Sequence, residues 1–136
     1  MSKQLHFLPF DSLPEVPRGN GIVNYLIANK KVGARAIHTG ISRLPPGVTA
    51  PRHSHNAEEQ VTVLEGTVKI TLDDREQICG RLDSTFISAG VEHELLNVGD
   101  DTAYVLVVYG SPDVDRTFAA TGETVAIGSD GDRFVR

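Results

Sequence analysis

The chain has 136 residues, 40% of them apolar and 6% aromatic with no Trp, a net charge of −5 and a pI near 5.4. That length suits one domain with a real apolar core, and the acidic balance argues against nucleic acid or an anionic membrane surface as partner. No apolar run is long enough to span a bilayer, the opening Met-Ser-Lys-Gln-Leu-His lacks the pattern of a secretory signal, and the single Cys79 excludes an intrachain disulfide, so a cytoplasmic protein is expected.

Residues 1–20 carry Pro9, Pro14, Pro17 and Gly19, with Gly21 just beyond, and read as an extended lead-in. Gly21–Asn29 is the first strand; Lys30, Lys31 and Gly33 turn it into a second over Arg35–Leu44, which Pro45-Pro46-Gly47 ends because proline cannot donate to a ladder. Glu59–Glu65 alternates Glu59, Val61 and Val63 against Gln60, Thr62 and Leu64. After Gly66, Val68, Ile70 and Leu72 alternate with Thr67, Lys69 and Thr71, the pattern of an antiparallel strand with one solvated face. Short strands follow over Glu76–Cys79, Thr85–Ser88 and Val91–Val98, and Thr102–Tyr109 is apolar on both faces and so buried. Residues 21–110 thus form an all-β barrel or sandwich. Residues 111–136 form an extension that is either a terminal hairpin, Thr124–Ile127 with Arg133–Val135 around Asp130-Gly131, or a tail that orders against a partner subunit.

Between the second and third strands, His53, His55 and Glu59 occupy odd positions. An extended backbone sends alternate side chains to opposite faces, so the two imidazoles share a face, and the carboxylate joins them if the strand runs through Glu59. Two imidazoles and a carboxylate make most of a mononuclear metal site, and His93 is the residue to complete it. Such a donor set suits Fe, Mn, Ni or Zn, with Cu less favoured, and leaves coordination positions open for chemistry. Asn97 or Gln60 is expected to orient an imidazole through its second nitrogen.

The spacing also carries a resemblance. Gly47, five residues, His53-Ser54-His55, three residues, Glu59, six residues and Gly66 resembles the first cupin motif, and Leu82 to Asn97 resembles the second, with Gly90, His93 and Asn97 in register. Two positions depart from the motif: Leu82 stands where the family has glycine, and Ser88 where it has proline. The resemblance spans about residues 35–110 and implies a six- to eight-stranded double-stranded β-helix, or jelly roll, with the metal held inside by His53, His55, Glu59 and His93. It also implies a homodimer and a small-molecule substrate. The expected activity is of the oxidoreductase, dioxygenase type, with a metal-dependent isomerase or lyase, or a non-catalytic ligand-binding protein, as the alternatives.

Around the metal, Val61, Val63 and Leu95 are expected to line a dry cavity, and Arg43, with Arg35, is placed to bind a substrate carboxylate at the barrel mouth. The more ordinary reading of both arginines is a solvated strand end. His6 and His38 lack a partner at ligand spacing and read as surface or satisfied core residues. Arg52 has the wrong parity to face the metal, and Cys79 reads as an inert strand residue.

Overall fold

A computed structural model describes residues 6–134. Its strands are β1 (Glu15–Gly19), β2 (Ile22–Leu26), β3 (His38–Leu44), β4 (Thr49–His55), β5 (Glu59–Glu65), β6 (Val68–Leu72), β7 (Arg75–Cys79), β8 (Ser84–Ile87), β9 (His93–Asn97), β10 (Ala103–Tyr109), β11 (Asp115–Phe118) and β12 (Thr124–Ala126). They form two six-stranded sheets, in the order β1-β2-β3-β10-β5-β8 and β12-β11-β4-β9-β6-β7. Every pairing is antiparallel, which gives the jelly roll expected from the sequence.

The period-2 alternation packs the space between the sheets. Val61 and Val63 of β5, Val68 and Ile70 of β6, Leu95 of β9 and Val105 of β10 all belong to one buried cluster. Burying an aliphatic side chain of this size stabilises the fold by about 1.5–3 kcal/mol. Strand β10 runs between β3 and β5 and, against the expectation, is fully buried on one face only: Ala103, Val105, Val107 and Tyr109 face the interior, while Tyr104, Leu106 and Val108 are half-buried on the other. Asn97 pins the cross-connection: its side-chain nitrogen donates to the Leu44 and Asp101 carbonyls, both at 2.9 Å, and its oxygen accepts from the Gly99 N–H.

Both ends of the chain depart from the sequence expectation. The lead-in contains β1, which pairs with β2 in the first sheet; its Pro17 is tolerated because β1 is an edge strand. At the other end the hairpin is formed by β11 with β12, and β11 also pairs with β4. Thr124–Ala126 therefore faces Asp115–Thr117, not the segment after Asp130, and Val135 lies outside the described residues. The second strand is shorter than expected, because Lys30–Val32 makes a 3-10 turn and β3 starts only at His38.

Leu82 adopts φ 73°, the left-handed conformation that glycine takes without strain. Leu82 thus places a Cβ in a backbone conformation suited to the glycine of the motif. The Leu82 side chain is 63% exposed, and its N–H donates to the Val63 carbonyl.

Candidate metal centre and its cavity

Strand β4 ends at His55, and residues 56–58 turn the chain before β5 begins at Glu59. Asn56 holds this turn, its oxygen accepting from the Asp115 N–H at 2.7 Å and its nitrogen donating to the Asp113 carbonyl. Glu59 therefore does not continue the histidine strand. It reaches the same interior from the opposite sheet, so the histidines and the carboxylate face each other across the core. His93 arrives on β9 directly opposite His53 in the β4–β9 ladder. That register is irregular between Ala50 and His53, where Pro51 removes a ladder donor and the strand bulges.

The three imidazoles are oriented alike. His53 Nδ1 donates to its neighbour Pro51's carbonyl at 2.5 Å, His55 Nδ1 to the Asp115 carbonyl at 2.9 Å and His93 Nδ1 to the Val91 carbonyl at 2.9 Å. A carbonyl can only accept, so each ring carries its proton on Nδ1 and turns a bare Nε2 lone pair inward. The orienting groups are thus main-chain carbonyls. Asn97 and Gln60, expected in that role, are used elsewhere: Asn97 at the cross-connection and Gln60 in a bond to Thr62. One ring nitrogen of each histidine lies within 4.8 Å of the other two, and all three rings are buried.

Glu59 Oε1 lies 3.0 Å from His93 Nε2 and 3.4 Å from His55 Nε2. Neither Glu59 Oε1 nor His93 Nε2 makes a hydrogen bond, although both are buried. With the ring proton on Nδ1, two lone pairs face each other at 3.0 Å, an arrangement that burial makes costly unless a cation is shared between them. Neighbouring ligands around an ion with bonds of about 2.1 Å have this separation. The residues present therefore fit a divalent metal.

Electrostatics agree with that fit. Burial, reinforced by the charge of Arg116, pushes the His53 imidazole well below its ordinary pKa of 6.5, and burial brings His55 down to about 4. Both rings are neutral at physiological pH, as metal ligands must be. Burial pushes the Glu59 carboxyl up, and the facing His93 and His55 together with the charge of Arg116 bring it below its usual value.

The ligand cluster opens on a cavity with largely apolar walls, among them Ile22, Leu26, Leu95, Val105 and Val107. His38, Tyr109, Arg18 and Arg116 add polar groups to it, and Phe134 covers one side. Of the cavity residues expected from the sequence, Leu95 lines it. Val61 and Val63 lie in the solid core, and Ser42 and Leu44 line the cavity where Arg43 does not. Arg52 lies on the outer side, bonded to Glu92 and to the Asp73 carbonyl.

The arginines that do enter are Arg18 of β1 and Arg116 of β11, 1% and 3% exposed. Both converge on Asp132: Arg18 by paired hydrogen bonds to its carboxylate and carbonyl, Arg116 at 3.3 Å from the carboxylate. The two guanidinium carbons lie 4.4 and 4.7 Å from the centroid of the Phe134 ring, which stacks in turn against His53. The sequence held one signal for this cluster. Val114, Arg116 and Phe118 alternate with polar residues and are all buried, so a strand reading of that stretch turns Arg116 inward.

Comparison with known proteins agrees with this architecture. A sugar phosphate isomerase described as from a cupin superfamily, from Silicibacter pomeroyi, superposes with a TM-score of 0.72 at 21% identity, covering 94% of this chain and 96% of that one. The polyketide cyclase RemF from Streptomyces resistomycificus gives 0.69 at 20% identity over 98% and 91%. At these identities the likeness shows the fold alone. Protein SchB from Streptomyces halstedii is 29% identical over 125 residues, 90% of this chain and 91% of that protein. The family described as "Cupin domain" matches residues 40–109, more than half of the sequence, from within β3 to the end of β10, and the chain belongs to that family.

Proposed function

We propose that this protein is a metal-dependent enzyme of non-redox carbonyl chemistry, and that it closes rings in a polyketone by enolisation and intramolecular aldol condensation. His53, His55, Glu59 and His93 would hold the ion, drawn from Fe, Mn, Ni or Zn with Cu less suited. When bound, the metal supplies Lewis-acid polarisation of a substrate carbonyl. The observation that carries the reading is His38. This half-buried imidazole lines the same cavity without belonging to the ligand cluster, and burial lowers its pKa, so that it is neutral at pH 7. Enolisation needs such a proton acceptor beside the carbonyl. His38 takes the proton from the activated carbon, a carbon–carbon bond forms to a second carbonyl of the same chain, and water leaves; no oxidant is required. Tyr109, directly across the β3–β10 ladder from His38, keeps its phenolic proton because burial pushes its pKa up, and it can return a proton to the departing oxygen.

Apolar walls favour a polyketone over a sugar phosphate, whose hydroxyls would lose hydrogen bonds there. RemF and the sugar phosphate isomerase match this chain about equally fully, so the choice between them rests on the cavity walls. The free volume beside the ligands is about 50 Å³, room for a few waters, so a polyketone places only its reacting end inside or displaces Phe134. The same donor set also suits the dioxygenase reading, in which His53, His55, Glu59 and His93 would hold a redox-active ion that supplies O2 activation. The two separate in one experiment: metal-reconstituted protein is given a linear poly-β-ketone while aromatic absorbance and dissolved oxygen are followed together. Ring formation at constant oxygen is the expected result, and oxygen uptake in step with product formation would overturn it. Within this proposal the protein acts as a homodimer, supported by Phe7 at 97% and Phe10 at 46% exposure near the β1 edge, and works in a reducing compartment, consistent with its free, buried Cys79.

A further inference from the structure

Arg116 is the most unusual polar group in the cavity. It is 3% exposed, yet its Nε and Nη1 make no hydrogen bond. Asp132 does not satisfy it, because that carboxylate is already engaged. Its Oδ1 takes Arg18, its Oδ2 accepts from the Gly128 N–H at 2.9 Å, and Arg116 is left an ion-pair contact at 3.3 Å. Two buried guanidinium groups thus share one carboxylate. A buried cation with unused donors is costly as a structural element, and a guanidinium held between a carboxylate and an aromatic ring has little freedom to turn elsewhere. With a divalent ion on Glu59 and the histidines, the cavity carries a positive excess that suits an anion.

We propose that Arg116 is the anion-recognition residue of this cavity. It takes a carboxylate or enolate oxygen of a substrate whose body is apolar, with Asp132 and Phe134 as its positioning residues. This deepens the polyketone reading and rests on it for the chemical class: an enolised polyketone presents such an oxygen, and Arg116 stands one strand from the ligands, paired with His55 in the β4–β11 ladder.

The test uses benzoate and its neutral isostere benzamide as probes on metal-loaded protein. Titration is followed by the arginine Nε–H signals in 1H–15N spectra and by calorimetry. The native protein should bind benzoate at least tenfold more tightly than benzamide, with the Arg116 signal shifting for benzoate only. Arg116→Gln and Arg116→Met should abolish that preference while benzamide affinity and metal content stay unchanged, and Arg116→Lys should restore part of it. Arg116→Met should also melt no lower than the native protein, since it removes a charge the fold does not satisfy. Undiminished benzoate preference in Arg116→Gln would overturn the proposal, whatever the melting temperature. The preference is read without turnover, so a protein that selects benzoate but forms no ring would sink the cyclase reading and leave Arg116 in place as the anion site.

Discussion

The middle of the chain, β3 to β10, and its two ends meet at one cavity but build it differently. The middle supplies His53, His55 and His93 from the neighbouring β4 and β9 and Glu59 from β5 of the opposite sheet, each imidazole oriented by a main-chain carbonyl, that of His55 belonging to Asp115 of β11. The ends supply Arg18 and Arg116 from β1 and β11 and Asp132 and Phe134 from the segment beyond β12, and these side chains, far apart in sequence, meet through contacts with one another. The residues inside the family match thus include the cluster suited to an ion, while the segments outside it carry the buried arginines to which the proposal assigns ligand selection.

The largest effect should come from the middle. His93→Ala should lower metal occupancy by 100-fold or more, because it removes one donor and the only imidazole that β9 contributes. Free metal at 1,000 times its dissociation constant stabilises the native protein by about 4 kcal/mol. Chelator should therefore lower its melting temperature by several degrees and leave that of His93→Ala unmoved. Equal melting curves for native protein with and without chelator would remove the distinction between the two regions, since neither would then hold an ion.

Asp132→Ala is the matching experiment on the ends. It leaves the Arg18 and Arg116 guanidinium groups buried together with no counter-charge. Burial and the charge of Arg116 already bring the Arg18 pKa down to about 10 even with Asp132 in place. Removing the partner of a buried ion pair costs about 3–5 kcal/mol, to be read from chemical denaturation. Metal occupancy should be nearly unchanged, because no ligand touches Asp132. Loss of metal in this variant would show that the two regions are one structural unit.

These two regions differ in legibility for a physical reason. Strand alternation is local, so the all-β class, the shared face of His53 and His55 and the inward face of β6 follow from neighbours in sequence, whereas the jelly roll and the place of His93 follow from the resemblance of two separated motifs to one family. Glu59 is half of such a case. Its position was readable, but its arrival from the opposite sheet depends on a turn held by Asn56 against the distant Asp113 and Asp115. The end cluster is wholly non-local, since Arg18 and Asp132 stand at opposite ends of the chain. In the sequence, β1 is masked by Pro14 and Pro17, whose effect on an edge strand is mild, and Arg43 looked the better anion binder only because its strand was easier to see.

Acid should separate the regions by a smaller amount in the metal-free protein. His53 and His55 are neutral when folded but take up protons near pH 6.5 when unfolded, so the unfolded state binds more protons below that value. Stability is then complete above about pH 6.5 and falls as the pH drops toward the folded value of about 4 for His55. That ring alone accounts for a loss on the order of 3 kcal/mol across the window. Denaturation midpoints at a series of pH values should show this slope, and replacing both rings, as in a His53→Gln/His55→Gln variant, should flatten it. A slope that survives the double replacement would assign the acid sensitivity to other groups.

The smallest effect probes a place where the middle itself departs from its family pattern. Leu82 holds φ 73°, and an L-residue in that conformation is strained by roughly 1–2 kcal/mol relative to glycine. Its side chain is mostly exposed, so little apolar burial is lost when it is removed. Glycine gives back part of the gain, because it makes the unfolded chain more flexible, by about 0.4–1 kcal/mol. Leu82→Gly should therefore stabilise the protein by at most about 1 kcal/mol, leaving metal occupancy and ligand preference untouched. A destabilised variant would mean that the exposed leucine is covered in the working assembly. The β8 edge beside it carries another exposed apolar side chain, Phe86, so sedimentation of Leu82→Gly against the native protein would show whether this corner of the barrel is a contact between copies.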